Sequence, residues 1–301
     1  MELNPPRPKK YCRLPPNLQV PVILKRDDTL VKFKGNFNGF SVVIENEEDM
    51  KNVISMGYFG KANFSRSYPQ FSQNKTEIIR DRQYERRKDW AKSCPGTKHA
   101  KKVIVVPDSD EETEDYFTNL KPEYQIDASS LKETVWLSLE ESFFLTNAIN
   151  CLDIYQEKKL LSPGESWKLF AETDSHFMQS YIPYYYYRMK NWVVKPGIKF
   201  GGDFLLYKQG PPFYHASYVV IIDSVDANLK RIESLSKRSM DNVSLTSLNR
   251  LCETAGKELL ICQIVWPQNS QIDYNNFSNF IIKEILMRRW ISTQERNTED
   301  V

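Results

Sequence analysis

The chain has 301 residues, of which 41% are hydrophobic, and a formal net charge of +2. This length allows one or two domains with a buried core, and the near-neutral charge gives no argument for nucleic-acid binding. Five cysteines without a CxxC spacing indicate a reducing compartment and no zinc site. Because no apolar stretch reaches ~18 residues and the N-terminus has no apolar signal segment, we expect an intracellular chain without a membrane span.

Residues 1–94 predict a small β-rich module that ends in a basic helical segment. The first 20 residues are basic and rich in proline, and we expect them to be poorly ordered. Alternating apolar residues around Gly and Asn turns in 30–60 are typical of strands, with a short helix near 46–56. Residues 95–134 are rich in Pro, Ser, Asp, Glu and Lys, which predicts a charged, disordered linker.

Residues 135–301 combine helices with strands and predict an α/β (α+β) domain around a buried mixed sheet. A capping-box pattern, Ser138 followed by Glu141, precedes the first apolar run and marks the start of a helix. Later apolar runs are split by glycine and proline turns, which is typical of strands. The predicted elements are helices over 138–156, 164–173, 176–192, 244–256 and 277–290 and strands over 203–207, 214–222 and 257–267.

Three ionisable side chains stand where the predicted strands begin or end. Tyr207 closes the first strand, His215 opens the second, and Lys257 follows a helix-ending glycine and starts the third. Rigid scaffolds present functional groups at such strand ends. Each residue taken singly is more often structural than catalytic, so the pattern alone leaves both interpretations open.

Tyrosine, histidine and lysine together suffice to cut RNA without a metal. The 2′-hydroxyl must lose a proton, the 5′-oxygen must gain one, and the phosphate gathers negative charge. Histidine, at ~6.5, suits the acid, whereas a tyrosine base, at ~10, would need a cation such as Lys257 to lower its pKa. The products would be a 2′,3′-cyclic phosphate and a 5′-hydroxyl.

The sequence around these residues resembles the tRNA-splicing endonuclease family. YKQGPPFYHASYVVII (207–222) places His215 eight positions after Tyr207, and Lys257 in GKELLICQI matches a lysine in a later strand of the family. GPPFYHASY and GYFGKANFSRS (57–67) are similar to the form found in the subunit that cuts the 5′ splice site. The resemblance implies a restriction-endonuclease-like nuclease domain in which Tyr207 is the base, His215 the acid and Lys257 the transition-state stabiliser.

The resemblance also implies a substrate and partners. Precursor tRNA is the expected substrate, no cofactor or metal is expected, and the chain would work in a heterotetramer with a second catalytic subunit and two structural subunits. Arg250 and Trp290 match an arginine and a tryptophan with which family enzymes sandwich a base at a neighbouring subunit's active site. The structural alternative is that Trp290 packs at a helix end while Arg250 is merely exposed.

Two further hypotheses concern the linker and the location of the protein. The apolar run Val103, Ile104, Val105 and Val106, followed by acidic residues, resembles a SUMO-interaction motif that adds a strand to a partner's sheet. A strand that pairs within this protein explains the run equally well. The basic N-terminal sequence PRPKK favours the nucleus, with the cytoplasm as the alternative.

Two other functions remain open at this point. The chain could be a non-catalytic, tRNA-binding structural subunit, although such a subunit has no physical need for Tyr207, His215 and Lys257 together. It could also be a metal-dependent nuclease. The tyrosine-rich run 181–192 is interpreted as core or subunit packing rather than as a base-stacking platform, because consecutive helical positions point all round the axis.

Overall fold

The computed structural model describes residues 6–9, 21–26, 29–64, 81, 100–103, 123–126, 132–267, 274, 277 and 280–289. Contacts divide the chain into two units, Met1–Lys61 with Val135–Val301 and Ala62–Thr134. The predicted basic helical segment lies outside the described residues except for Asp81. No described helix is long and apolar enough to cross a membrane.

The described residues form fifteen strands and five α-helices. The strands are β1 (Lys25–Arg26), β2 (Thr29–Leu30), β3 (Phe33–Phe37), β4 (Val42–Ile44), β5 (Lys61–Ala62), β6 (Ala100–Val103), β7 (Glu123–Ile126), β8 (Val135–Leu137), β9 (Leu152–Gln156), β10 (Lys159–Leu160), β11 (Val193–Pro196), β12 (Phe204–Tyr207), β13 (Tyr218–Val225), β14 (Glu258–Val265) and β15 (Ile281–Met287). The helices are α1 (Glu47–Gly57), α2 (Leu139–Phe143), α3 (Pro163–Thr173), α4 (Phe177–Met189) and α5 (Asn242–Thr254). A π-helical turn continues α2, and short 3₁₀ turns cover Ile198–Phe200 and Glu233–Leu235.

The predicted mixed sheet is a five-stranded sheet in the order β11-β12-β13-β14-β15. Only β13 and β14 pair in parallel, and α5 makes the crossover between them, as a parallel pair requires. All eight residues of β13 are buried, which explains why its sequence is a continuous apolar run. The α/β (α+β) prediction is confirmed.

A second, six-stranded sheet has the order β10-β9-β3-β4-β8-β5. Its strand β3 pairs in parallel with β9, and β4 pairs antiparallel with β8. Strands from the predicted N-terminal module and strands that follow residue 135 therefore share one sheet.

In the unit Ala62–Thr134, β6 and β7 form a two-stranded antiparallel sheet. The register places Val103 opposite Glu123 and Ala100 opposite Ile126. Part of the segment that was expected to be a disordered linker is thus paired as strands.

The predicted helix over 138–156 is correct only in its first half. Its capping box is present, with Ser138 and Glu141 each accepting the other's backbone N–H. The helix and its π-helical turn end at Ala148, and Asn150 adopts a left-handed φ of 58°. The residues that follow alternate between apolar and polar and form β9, so the helical assignment there was wrong.

The last predicted helix, over 277–290, is also wrong where the structure describes it. Residues Ile281–Met287 form β15, which pairs antiparallel with β14 from Leu259 to Val265. The apolar spacing of FIIKEILM fits the period of a helix as well as that of a strand. The edge of β14 offers backbone partners for a strand, and isoleucine packs well on the pleated surface of a sheet.

The tyrosine-rich helix α4 is part of the core, as predicted. Tyr181, Tyr184 and Tyr187 are at most 2% exposed. Tyr181 packs edge-on against Phe143 of α2 and Trp167 of α3, with ring centroids 5.0 and 5.8 Å apart. This aromatic cluster fixes α4 beneath the strands that carry the candidate site.

Candidate active site

The ends of three central strands meet at one edge of the five-stranded sheet. The register aligns Leu206 of β12 with Tyr218 of β13, and Tyr218 with Glu258 of β14. Tyr207 follows Leu206 and Lys257 precedes Glu258, so both lie at this same end. Since neighbouring strands are about 4.8 Å apart, their backbones are on the order of 10 Å from each other.

His215 lies in the loop before β13, three residues ahead of the strand that it was predicted to open. Ser217 continues the ladder at this point, donating from its amide to Leu206 O (2.9 Å) and accepting from Glu258 N (3.0 Å). The side chain of His215 is exposed. The structure therefore brings Tyr207, His215 and Lys257 to one end of the sheet.

Tyr207 is half-buried against the apolar cluster that joins the sheet to α5. The buried members of this cluster are Leu205, Ala216, Val219, Ile221, Cys252 and Leu259. Burial raises the pKa of Tyr207, because the phenolate would lose hydration there. The expected lowering of this pKa by Lys257 is not present, so the tyrosine is a weaker acid here than in water.

The loop between Tyr207 and His215 is held by the end of α1. Gly210 has a φ of 110°, and a Cβ atom on it would lie 2.3 Å from the ring of Tyr58. Tyr58 caps α1 in a left-handed conformation, and its ring packs edge-on against Phe213 with centroids 6.5 Å apart. A residue with a side chain at position 210 would displace this ring, so the glycine sets the path of the loop towards His215.

Lys257 is presented by the turn that ends α5. Gly256 has a φ of 65°, and the amide of Lys257 donates to Cys252 O at 2.9 Å, which closes the helix. Nζ of Lys257 donates to Ala255 O at 3.0 Å and lies 4.2 Å from the ring centroid of Phe200. Within the described part of the chain, Lys257 forms no ion pair with a carboxylate, so its charge is free for a ligand.

Burial lowers the pKa of Lys257, and its interaction with Cys252 acts in the opposite direction. The thiol of Cys252 is itself buried, which raises the pKa of Cys252 to about 11. Both Tyr207 and Lys257 are thus shifted towards their neutral forms by loss of hydration.

The second predicted pair is placed only in part. Arg250 is exposed on α5, and its backbone carbonyl accepts from Thr254 Oγ1 at 2.9 Å. Trp290 lies outside the described residues. The sandwich of a base between these two side chains stays a prediction.

No three His, Cys, Asp or Glu side chains among the described residues form a group that could hold a metal ion. The carboxylate-x-lysine pattern at Asp49 and Lys51, which a metal nuclease would carry on a strand, lies in α1. Cys151 and Cys262 are buried free thiols.

A buried polar network that the sequence did not reveal supports the loop of the site. Arg188 of α4 donates to Gly57 O (2.9 Å) and to the hydroxyl of Tyr184 (2.8 Å). The carboxylate of Glu141 accepts from Gly60 N (3.1 Å) and from Lys195 Nζ (3.1 Å). These bonds fix the segment on both sides of Tyr58, whose ring fills the space at Gly210.

Comparison with known proteins identifies the domain that contains this site. A family described as "tRNA intron endonuclease, catalytic C-terminal domain" matches residues 177–274. That range includes Tyr207, His215 and Lys257, and also Arg250.

Similar proteins extend the match beyond the domain. A "tRNA-splicing endonuclease subunit Sen2" from Gallus gallus is 40% identical over 172 residues, which are 56% of this chain and 37% of the relative. The subunit SEN2 of Saccharomyces cerevisiae is 32% identical over 178 residues, 55% of this chain and 43% of the relative. A "probable tRNA-splicing endonuclease subunit sen2" from Schizosaccharomyces pombe is 23% identical over 329 positions, 85% of each chain.

The chain spans less than half the length of the chicken and budding-yeast relatives. The strands and the crossover helix that present Tyr207 and Lys257 all fall within the matched range. Residues 177–274 of this chain are therefore similar to the catalytic C-terminal domain of the tRNA intron endonuclease family.

Proposed function

We propose that this chain is a catalytic subunit of a tRNA-splicing endonuclease and that it cuts precursor tRNA at the 5′ splice site. The observation that carries the proposal is the placement of Tyr207, His215 and Lys257 at one end of the sheet in the matched domain. The names of its Sen2 relatives agree with this function.

The proposed reaction is an attack of the 2′-hydroxyl on the adjacent phosphate. Tyr207 removes the proton of the 2′-hydroxyl, and His215 gives a proton to the departing 5′-oxygen. The cation of Lys257, which has no competing carboxylate among the described residues, stabilises the charge on the phosphate oxygens. The products are a 2′,3′-cyclic phosphate and a 5′-hydroxyl.

The raised pKa of Tyr207 places a condition on this mechanism. Because the pKa of this buried phenol is raised, its phenolate is a strong base, but only a small fraction of Tyr207 is ionised near neutral pH. The proposed mechanism therefore includes an approach of the Lys257 cation to the phenol oxygen when RNA is bound, since a nearby cation stabilises the phenolate. Among the described residues, Nζ of Lys257 donates one hydrogen bond, to the carbonyl of Ala255, and lies over the ring of Phe200, which leaves its other N–H donors available.

We further propose that the chain acts in a heterotetramer with a second catalytic subunit and two structural subunits. Support comes from β15, which is an edge strand of the sheet and exposes Ile281 and Ile285 at 59% and 45%. Exposed apolar residues on an unpaired strand edge are typical of a surface that another chain covers. Native mass spectrometry of the purified complex tests this stoichiometry.

A SUMO contact through Val103, Ile104, Val105 and Val106 remains a proposal. Val103 pairs with Glu123 within the protein, which favours the alternative of an internal strand at that residue. Titration of a labelled peptide 100–116 with SUMO tests the contact, and absence of binding would exclude it. A nuclear location, proposed from the basic residues near the N-terminus, is tested by imaging the tagged chain in cells.

The catalytic assignment is tested with His215→Ala in the reconstituted complex. We expect the rate of 5′ cutting to fall by about 10²–10⁴-fold, because the general acid is lost, while 3′ cutting continues. Cleavage of a radiolabelled precursor tRNA resolves the two cuts on one gel. Unchanged 5′ cutting would show that the chain acts as a structural subunit.

Two controls test whether the lost activity is due to misfolding and whether the reaction depends on a metal ion. His176→Gln changes a histidine at the start of α4, outside the site, and should leave both cuts unchanged. Cleavage in the presence of EDTA should proceed at the full rate. Loss of activity in EDTA would favour the metal-dependent alternative.

A further inference from the structure

The N-terminal residues 6–9 lie along the loop that carries His215. This segment was expected to be poorly ordered, yet Pro8 forms an antiparallel bridge with Tyr214. The amide of Lys9 donates to Phe213 O at 2.8 Å, and the amide of His215 donates to Arg7 O at 3.1 Å. A short stretch of chain far away in sequence is thus paired with the loop of the candidate site.

The sequence of this segment suits the pairing. The two hydrogen bonds flank the bridge, so Pro8 and Tyr214 occupy a position at which neither residue donates to the other. Proline, which has no N–H group, therefore fits at the bridge without the loss of a hydrogen bond. The backbone of Arg7 is consequently held beside His215.

The side chain of Arg7 reaches the second half of the site. Its Nη1 atom lies 3.5 Å from the position that a Cβ atom on Gly256 would take, directly before Lys257. Arg7 thus spans from the amide of His215 to the turn that presents Lys257.

The guanidinium group of Arg7 is available for a ligand. Arg7 is exposed, and with the described residues it forms no ion pair and no side-chain hydrogen bond. No aromatic ring of the described residues stacks on it either, so within this part of the chain its charge has no partner. A planar guanidinium with five N–H donors matches the oxygens of a phosphate group.

We propose that Arg7 is a substrate-binding residue of this site, whose guanidinium binds a phosphate of the RNA backbone next to the cleaved bond. The inference rests on the proposed function, because it takes RNA as the ligand of the site. Lys257 faces the cleaved phosphate, and Arg7 supplies a second cation a short distance along the strand. Its backbone carbonyl meanwhile fixes the loop that positions His215.

The test uses the assembled complex and a precursor tRNA with a 2′-deoxy nucleotide at the 5′ splice site, which binds without being cut there. We expect Arg7→Gln to weaken binding about tenfold at low salt, since a charge-assisted hydrogen bond is lost. The slope of log affinity against log salt concentration should fall by about 1, as for loss of one phosphate contact. Arg7→Lys should restore the slope.

A matched control removes one exposed positive charge elsewhere. Lys168→Gln, on α3, should leave the affinity and the salt slope unchanged. An unchanged slope in Arg7→Gln would overturn the proposal, and so would equal weakening by Arg7→Gln and Arg7→Lys, since a merely structural role predicts that result. Cleavage of the all-ribose substrate by the wild-type complex is measured in parallel, so failure of the proposed function is seen separately from failure of RNA binding by Arg7.

Discussion

Tyr207 combines an apolar environment with a position at the end of a strand. Its side chain packs against a buried cluster that includes Leu205 and Cys252, and its backbone ends β12, directly before the loop that leads to His215. Burial raises the pKa of this phenol, which disfavours the ionised form that a general base requires. Catalysis at neutral pH would therefore depend on a small ionised fraction.

We predict that Tyr207→Phe lowers the rate of 5′ cutting by about 10²–10⁴-fold, because only the proton-transferring hydroxyl is removed. The apolar packing is kept, so the thermal midpoint of unfolding should change little. Single-turnover cleavage and thermal unfolding of the same preparation measure both quantities. Tyr185→Phe, a half-buried tyrosine of α4, is the control and should cut normally.

The same pKa shift gives a second expectation about Tyr207. A fluorinated tyrosine at this position has a more acidic phenol, and the fraction ionised at pH 7 rises as its pKa falls. The rate of 5′ cutting near neutral pH should then increase relative to the unmodified complex. A lower rate would contradict the role of Tyr207 as a base.

At the scale of elements, the site depends on α1, α2, α4 and β11 as much as on its own strands. Glu141 of α2 closes the capping box and binds Lys195 of β11, and its side chain is 5% exposed. Burial lowers the pKa of Lys195, and Glu141 opposes this shift by stabilising the charged amine. Without the carboxylate, a buried positive charge would remain unpaired.

We predict that Glu141→Ala destabilises the protein by about 3–5 kcal/mol, as when one partner of a buried ion pair is removed. Urea unfolding followed by circular dichroism measures the change. Glu165 closes the same kind of capping box with Ser162 at the exposed start of α3, so Glu165→Ala is the matched control and should have a smaller effect. Equal effects of the two substitutions would show that Lys195 does not depend on its partner.

Helices and strands whose ends are determined by neighbouring residues could be predicted from the sequence. Elements that form because they pair with a strand distant in sequence could not. The caps of α2 and α3 and the ends of β12 and α5 follow from residues within one turn of them. By contrast, β15 was predicted as a helix because its apolar spacing is ambiguous, and the edge of β14 decided the outcome. Neither the pairing of Arg7 with the His215 loop nor the network around Arg188 has a local sequence signal.

The candidate site itself could be predicted only from the resemblance to the tRNA-splicing endonuclease family. Tyr207, His215 and Lys257 have spacings that no single helix or strand explains, and the register of β12, β13 and β14 is what aligns them. The raised pKa of Tyr207 was not predictable, since it depends on the burial provided by α5 and the sheet.

At the scale of the whole molecule, one unit contains the entire five-stranded sheet. The strands that carry the site belong to this sheet, whose edge strand β15 exposes isoleucines. The segment that reaches His215 from the N-terminus belongs to the same unit. The four residues of the proposed site, Arg7, Tyr207, His215 and Lys257, therefore all belong to a single unit.

The central claim is that this site cuts RNA by attack of the 2′-hydroxyl. The most direct measurement compares two precursor tRNAs in the assembled complex, one all-ribose and one with a 2′-deoxy nucleotide directly before the 5′ splice site. We predict that the deoxy substrate is cut only at the 3′ splice site, whereas the all-ribose substrate also yields a 5′ exon that ends in a 2′,3′-cyclic phosphate. Cutting of the deoxy substrate at the 5′ splice site at the normal rate would contradict the account.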